Sequence, residues 1–192
     1  MELVFASHNQ HKTEEVKEMA SSLIHIRNLR EIGCFDEIPE TADTLEGNAS
    51  QKARYVQEHF HVNCFADDTG LEVEALDGRP GVYSARYAGE HCTYQDNVDK
   101  LLLEMKGKTN RKACFKTVVA LVLDGKEYFF EGRVDGKIIE NQKGTSGFGY
   151  DPIFMPDGFD RTFAEMSDEE KNSISHRGRA MQEMMSFLKK IK

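Results

Sequence analysis

The long and almost wholly apolar stretch from Ala113 to Leu123 constrains the fold more than any other part of the sequence. A run of this kind is typical of a strand that is buried on both faces in the middle of a sheet. Asp124-Gly125 comes directly after it and is a common residue pair in two-residue hairpin turns. Glu127 to Val134 is therefore predicted to be its antiparallel neighbour, with Ala113 to Leu123 as the central strand.

Strand and helix patterns alternate around this hairpin. A strand from Met1 to Ala6 and a helix from Gln10 to Leu23 open the chain, and Ser7 with Gln10 is predicted to form the capping box of that helix. Another capping box is predicted at Ser167 and Glu170. Further strands are predicted at 24–29, 64–66 and 71–75, and further helices at 49–60, 93–105 and 177–191, the last with Met181, Met184, Met185, Leu188 and Ile191 on one face. The pattern predicts a mixed α/β fold with helices covering a twisted sheet.

Composition narrows the function. A chain of 192 residues can bury one substantial core or two small lobes that share a sheet. The net charge of −8 argues against a protein that coats nucleic acid, and no apolar run is long enough to predict a membrane span. The acidic, strand-like start lacks the features of a secretion signal. Four well-separated cysteines indicate neither a zinc site nor a disulfide framework, so a reducing compartment, the cytoplasm, is predicted.

The first candidate site follows the opening strand. Small polar residues and a lysine lie there at a helix amino terminus, where free N–H groups and the helix dipole favour a phosphate. The alternative is an ordinary helix cap with a solvated lysine. The glycines of a Walker loop are missing. The residues of this candidate site are Ser7, His8, Asn9, Gln10, His11 and Lys12.

The second candidate site is the segment from Ala66 to Gly70, which contains Asp67 and Asp68 and is predicted to be a polar turn between two short strands. Adjacent carboxylates repel each other, and a hard divalent cation relieves that repulsion. Glu40 is a third carboxylate that could reach the same metal. The alternative is a plain hairpin turn, in which aspartate and glycine are routine.

Two further candidates lie in the last third of the chain. Gly144 to Pro152 is rich in glycine, which permits close backbone approach to a ligand, and Phe148 offers a flat surface on which a base could stack. Lys171, His176 and Arg177 could donate hydrogen bonds to phosphate or to a purine carbonyl. The alternatives are a glycine-aromatic turn and a surface helix start.

Together these segments resemble the Ham1 family of inosine triphosphate pyrophosphatases, also called RdgB-like, and the resemblance spans the whole chain. It rests on six motifs in order: residues 7–12, 46–49 with 52–53, 66–71, 80–87, 147–152 and 175–178. One departure is His8, where many relatives have glycine. The resemblance implies an elongated α/β fold with two lobes around a cleft, a homodimer, and hydrolysis of non-standard purine nucleoside triphosphates to monophosphate and pyrophosphate.

The resemblance also implies roles for the residues that match its motifs. Glu40 and Asp68 would bind Mg²⁺, and Asp68 would orient or deprotonate the attacking water. Lys12, Lys52 and Lys171, with the first loop, would hold the triphosphate. Phe148 would stack on the base, while His176 and Arg177 would face its six-oxo edge. Thr69, Gly149, Tyr150 and Asp151 complete the implied substrate site.

Donors aimed at a six-carbonyl would meet an amino group in adenosine and remain unpaired, so two of them could reject it by about a hundredfold. For Arg177, the alternative is that it only pairs with an acidic side chain or touches phosphate. Two other functions remain open at this point: a Maf-like pyrophosphatase that prefers pyrimidine or modified nucleotides, and a regulatory module that binds a purine nucleotide without hydrolysing it. The retained Glu40, Asp68 and Lys12 favour catalysis.

Overall fold

The strands form a mixed sheet, seen here in a computed structural model that describes residues 1–20 and 22–191. Its strand order is β2-β1-β3-β5-β6-β7, with β4 paired to β3. β1 runs parallel to β2 and β3, whereas the pairs β3-β4 and β6-β7 are antiparallel. The strands are β1 (Glu2–Phe5), β2 (His25–Asn28), β3 (Cys64–Val73), β4 (Pro80–Gly81), β5 (Lys112–Leu123), β6 (Lys126–Ile138) and β7 (Phe154–Pro156), and the α-helices are α1 (Gln10–Met19), α2 (Leu45–Phe60), α3 (Tyr94–Glu104), α4 (Asp168–Ile174) and α5 (His176–Lys190).

The chain divides into two compact units. The first contains Met1–Asp68, Thr117–Gly132 and Arg177–Lys192, and the second contains Thr69–Lys116 and Arg133–His176. The boundaries between the units fall inside β3, β5 and β6, so each of these three strands belongs partly to one unit and partly to the other. The α/β fold class is confirmed, since helices flank a sheet that contains both parallel and antiparallel pairs.

In the first unit helices cover both faces of the strands. One core joins Phe5, Phe65 and Leu121 to apolar side chains of α1 and α5. The other joins Ala66 and Ala120 to the alanines and Val56 of α2. Alternate residues of each strand enter alternate cores, as the two-residue period of a strand requires.

The second unit has one apolar core. Leu71, Phe115 and Val134 from the strands pack there with Val98 and Leu101 of α3, and Phe154 and Phe163 also belong to it. Phe115 contacts the Phe154 ring edge-on, with 4.7 Å between the centroids. The unit is therefore held largely by aromatic and aliphatic side chains on the α3 side of its strands.

Several predicted elements are confirmed. The apolar run is β5, inside the sheet, and Asp124 and Gly125 have the positive φ angles of the predicted hairpin turn, +49° and +75°. Ser167 and Glu170 form the predicted capping box of α4. Of the predicted apolar face of α5, Met181, Met184, Met185 and Leu188 are buried, but Ile191 is 48% exposed and lies beyond the helix end.

Three local predictions are wrong. Residues 64–75 do not form two short strands around a turn, because β3 continues through Asp67 to Gly70 and both carboxylates find partners within the fold, which outweighs their low strand propensity. The cap of α1 is Asn9, whose side chain accepts from the Lys12 N–H, and Ser7 lies two residues earlier. That helix also ends at Met19, before the predicted Leu23.

Candidate functional site

Asp67 and Asp68 leave opposite faces of β3. Phe65, two residues before Asp67, packs with α1 and α5, whereas Ala66, two residues before Asp68, packs with α2. The carboxylates follow the same alternation, because Asp67 contacts side chains of α1 and α5 and Asp68 contacts a side chain of α2. A continuous strand therefore separates two groups that a turn would have brought to one edge.

On the α1 and α5 face, four charged side chains form a buried chain. The Lys12 ammonium lies 3.0 Å from one Asp67 oxygen, and the Arg177 Nε donates to the other at 2.9 Å. A second guanidinium nitrogen of Arg177 donates to Glu15. Burial by itself would raise the pKa of Asp67, but Lys12 and Arg177 outweigh it and hold that pKa below its usual range. These opposite charges compensate each other inside the protein.

The α2 face presents a different group. Asn48 donates to Asp68 at 3.0 Å, and the Lys52 ammonium lies 2.5 Å from Glu40. Burial raises the pKa of Asp68, Glu40 raises it further, and Lys52 and Lys12 only partly oppose the shift. Burial would also lower the pKa of Lys52, yet Asp68 and Glu40 keep it above its ordinary value. Asp68 is thus a buried carboxylate whose pKa lies above its ordinary value.

Asp68 and Glu40 suit a divalent cation chemically. Hard cations such as Mg²⁺ take carboxylate oxygens, and Mg²⁺ needs only one or two of them besides water and phosphate. Burial is the main cause of the raised pKa of Asp68, and the negative charge of Glu40 adds to it; a cation bound by the two carboxylates would relieve that repulsion. Across residues 1–20 and 22–191, however, no group of three or more His, Cys, Asp or Glu side chains is arranged to hold a metal by itself.

The loop before α1 is tied to the loop that carries Glu40. The His8 Nε2 lies 2.8 Å from the carbonyl oxygen of Asp36, where it can donate, and Ser7 accepts from the Asn9 N–H. Gln10 and His11 are exposed on the first turn of α1. His8, which departs from the family pattern, therefore links the loop before α1 to the loop that carries Glu40.

In the second unit, Asp151 organises the glycine-rich segment. Its Oδ2 accepts from the Phe148 N–H at 2.9 Å and from the Lys171 ammonium at 2.6 Å. The same ammonium lies 4.9 Å from the centroid of the Phe148 ring, where a cation is attracted to an aromatic face. Gly147 has a φ of +71°, and a Cβ there would approach the Asp151 carboxylate within 2.2 Å, so a larger residue would displace the loop.

Tyr150 and His176 are also fixed within the second unit. The Tyr150 hydroxyl donates to the Ser84 carbonyl at 2.8 Å, and burial raises the pKa of this phenol. The His176 ring stacks on Phe115 with 4.5 Å between the centroids. Its chain neighbour Arg177 belongs to the first unit and binds Asp67 and Glu15, so two adjacent residues of one motif serve different units.

The predicted site residues form two groups. Lys171, which the resemblance predicts to hold phosphate with Lys12 and Lys52, lies in the second unit and contacts Asp151 and the Phe148 ring. The first unit contains Ser7, His8, Asn9, Gln10, His11, Lys12, Glu40, Lys52, Asp68 and Arg177, and the second contains Thr69, Phe148, Gly149, Tyr150, Asp151, Lys171 and His176.

Two residues of these networks were missed from the sequence. Asn48 stood in a motif without a role, and Glu15 was not singled out. A signal for the first was available: Asn48 and Lys52 are four residues apart and adjoin the apolar positions Ala49 and Ala53, so α2 buries polar groups on its inner side. Nothing comparable marks Glu15, since it lies among several charged residues of α1.

Fold and site together define an α/β protein in which buried carboxylates and lysines, held on a strand and two helices, suit an anionic ligand and a hard cation. Comparison with known proteins makes this specific. The Ham1 family profile matches residues 3–187, and the chain belongs to this family.

Similar proteins cover almost the full length of the chain. A dITP/XTP pyrophosphatase of Flavobacterium johnsoniae is 55% identical over 188 residues, 98% of each chain. One of Porphyromonas gingivalis is 51% identical and covers 97% of this chain and 96% of its own. The solved structure of the Staphylococcus aureus Ham1 protein superposes with a TM-score of 0.90 at 39% identity and covers all of both chains. The Coxiella burnetii HAM1 protein gives 0.91 at 36%, covering 99% of each.

Within the described part of the chain, no helix combines the length and the apolar character needed to cross a membrane.

Proposed function

We propose that this chain hydrolyses non-standard purine nucleoside triphosphates, among them dITP, ITP and XTP, to the monophosphate and pyrophosphate. Relatives that are 51% to 55% identical along nearly the whole chain bear the name dITP/XTP pyrophosphatase, which supports the same reaction here. The observation that carries the proposal is the buried Asp68, held by Asn48 and accompanied by Lys52 and Glu40. Such a group combines a base with charges that can bind a polyphosphate.

Lys12 and Lys52 are proposed to bind the phosphates. Both ammonium groups are largely buried beside carboxylates. Burial lowers the pKa of Lys12, and Asp67 opposes this shift, whereas Asp68 and Glu40 hold the pKa of Lys52 above its ordinary value. The amino end of α1, with Ser7 and Asn9 in the preceding loop, adds the positive end of a helix dipole. Phosphoryl transfer depends mainly on positioning and charge neutralisation, which this arrangement provides.

Glu40 and Asp68 are proposed to bind Mg²⁺. When bound there, the ion would supply charge neutralisation at phosphate oxygens and would acidify water. The support is the donor set itself, two carboxylates that repel each other and that lie beside the phosphate-binding lysines.

Asp68 is proposed to act as the general base. Because burial raises its pKa, this carboxylate is a stronger base than an exposed aspartate and can take a proton from the attacking water. The water oxygen forms a new bond to phosphorus, the bond from that phosphorus to the bridging oxygen breaks, and pyrophosphate leaves with the bonding electrons. No covalent enzyme intermediate is required. Asn48 donates to Asp68 and holds it in orientation.

The second unit is proposed to bind the base. Phe148 would provide a stacking surface, and Gly149, Tyr150 and Asp151 would complete its loop. Lys171 and His176 lie in this unit and can donate to a six-carbonyl, as can the neighbouring Arg177. The contacts of Lys171 support a place beside the base, while those of Arg177 support the alternative in which it pairs with acidic groups.

The proposed reaction is tested by measuring pyrophosphate release from ITP, XTP, ATP, dTTP and UTP, with Mg²⁺ and with a chelator. We expect Mg²⁺-dependent release that is fastest with ITP and XTP. Preference for the pyrimidines would instead support a Maf-like specificity. Binding without release would support a regulatory module.

A homodimer is proposed in the cytoplasm, without nucleic acid or membrane as a partner. The family resemblance suggests the dimer, and the four free thiols suit a reducing compartment. Sedimentation equilibrium at micromolar concentration should give about twice the chain mass of 21.8 kDa, and a value near the single-chain mass would reject the dimer.

A further inference from the structure

The side chain of Asn48 connects the two segments that carry the candidate metal-binding carboxylates. Its Oδ1 accepts from the Ala42 N–H at 2.9 Å, and its Nδ2 donates to Asp68 at 3.0 Å. Ala42 lies two residues after Glu40 in the loop before α2. The Asn48 side chain is completely buried.

Both bonds fix the orientation of the amide. A backbone N–H can only donate, so the Asn48 oxygen must face Ala42, and a carboxylate accepts, so the nitrogen must face Asp68. Rotating the amide by half a turn would place two acceptors together and two donors together. One side chain therefore satisfies both neighbours in a single orientation.

The surrounding chain keeps this bridge short. Gly47 precedes Asn48, and a Cβ at Gly47 would meet the Ala42 Cβ at 2.6 Å, so the loop lies tightly against the first turn of α2. One turn later, Lys52 binds Glu40 itself. Residues four apart share a face of a helix, so Asn48 and Lys52 of α2 together bind the backbone of the loop and the carboxylate of Glu40.

We propose that Asn48 is a positioning residue for the reaction, which sets the placement of the Glu40 loop relative to Asp68. The inference rests on the proposed function, in which these two carboxylates bind the same Mg²⁺ ion. Without the Asn48 amide, Glu40 and Asp68 could still bind a cation, but the hydrogen bonds that link their two segments would be lost. Loss of such outer-shell support lowers metal affinity or activity by about 10–100-fold.

Three variants test the proposal. Asn48→Ala removes both bonds. Asn48→Asp keeps an oxygen for the Ala42 N–H but removes the donor to Asp68. Gln51→Ala is the matched control, because Gln51 also lies on α2 and accepts from the Thr41 N–H of the same loop at 2.9 Å, and its side chain bonds to Thr41 rather than to Asp68.

Amide hydrogen exchange by NMR in metal-free protein gives a readout that does not depend on turnover. We expect the Ala42 amide to exchange about tenfold faster in Asn48→Ala, and to remain protected in Asn48→Asp. An Ala42 amide that exchanges at the wild-type rate in Asn48→Ala would overturn the bridge, whether or not the protein hydrolyses ITP.

Activity and Mg²⁺ binding complete the test. We expect kcat for ITP to fall about 10–100-fold in both Asn48 variants, and the calorimetric Kd for Mg²⁺ to rise about tenfold in Asn48→Ala, with smaller changes in Gln51→Ala. Equal losses of kcat and of Mg²⁺ affinity in Asn48→Ala and Gln51→Ala would mean that Asn48 only holds the loop in place, and would overturn the proposal. Absence of ITP hydrolysis in the wild type would count against the proposed function instead.

A wild-type measurement remains decisive if the Asn48 variants do not fold. The side-chain amide protons of Asn48 should shift when Mg²⁺ is added, because their acceptor is Asp68. Unchanged resonances at saturating Mg²⁺ would overturn the proposal.

Discussion

On one face of β3 the Asp67 carboxylate is bonded to two cations, Lys12 and Arg177, whereas on the other face Asp68 accepts from the neutral amide of Asn48. The pKa of Asp67 lies below its ordinary value and that of Asp68 above it. The pKa values of two neighbouring aspartates thus differ because their side chains lie on opposite faces of one strand, in different surroundings. The difference suggests a division of work, in which Asp67 stabilises the folded protein and Asp68 is reserved for reaction.

The largest expected effect is on turnover by Asp68→Asn. This change removes the proposed base and one metal ligand while preserving the shape of the side chain, so kcat for ITP should fall by about a thousandfold or more. Asp67→Asn should lower kcat less. Pyrophosphate release under saturating ITP and Mg²⁺ measures both, and a larger loss in Asp67→Asn would reverse the proposed division.

Arg177→Ala should have the largest effect on stability. It leaves the buried carboxylates of Asp67 and Glu15 without their shared cation, which costs about 3–5 kcal/mol. Urea unfolding measures the loss, and a cost below about 1 kcal/mol would contradict the buried charge chain.

The same variant tests base recognition. The ratio of kcat/KM for ITP to that for ATP cancels any uniform loss of folded enzyme. A sharply lower ratio in Arg177→Ala would support a hydrogen bond from Arg177 to the six-oxo edge of the base. An unchanged ratio would mean that Arg177 only pairs with the acidic side chains.

The two aspartates should also affect thermal stability in opposite directions at pH 7. Asp67 has a lowered folded-state pKa, so its ionised form stabilises the protein above the unfolded value of about 4, and this contribution is lost only as pH falls through the folded value. Asp68 has a raised folded-state pKa, so its ionised form costs stability until pH falls through that value. Asp67→Asn should therefore lower Tm and Asp68→Asn should raise it.

Thermal unfolding between pH 7 and pH 3 checks both signs. The gain from Asp68→Asn should disappear as pH falls towards about 4, because Asp68 is then protonated in the native protein as well. The loss from Asp67→Asn should persist to lower pH. Tm shifts of the same sign at pH 7 would contradict the comparison.

The smallest effect is expected from His8→Ala. Its bond to the Asp36 carbonyl is exposed and is worth about 1 kcal/mol, so the Mg²⁺ concentration for half-maximal rate should rise by no more than about fivefold. His11→Ala is the matched control, because His11 is an exposed histidine three residues later. Equal effects in the two variants would remove His8 from the organisation of the Glu40 loop.

The sequence by itself determined the fold class, the central strand with its hairpin turn and the capping box of α4. These features depend on local patterns: the apolar run of β5, the turn residues Asp124 and Gly125, and the pair Ser167 and Glu170. It also determined the family, because six motifs in order need no knowledge of contacts.

Only the tertiary structure decided how the charged residues are divided. Asp67 to Gly70 reads locally as a turn, but partners that are distant in sequence, among them Arg177 and Asn48, make it part of a strand. Extended backbone then sends adjacent carboxylates to opposite faces, which no spacing rule for a turn could predict. The contact between Glu15 and Arg177 is likewise invisible in sequence, because charged pairs are chosen by the packing of helices and strands.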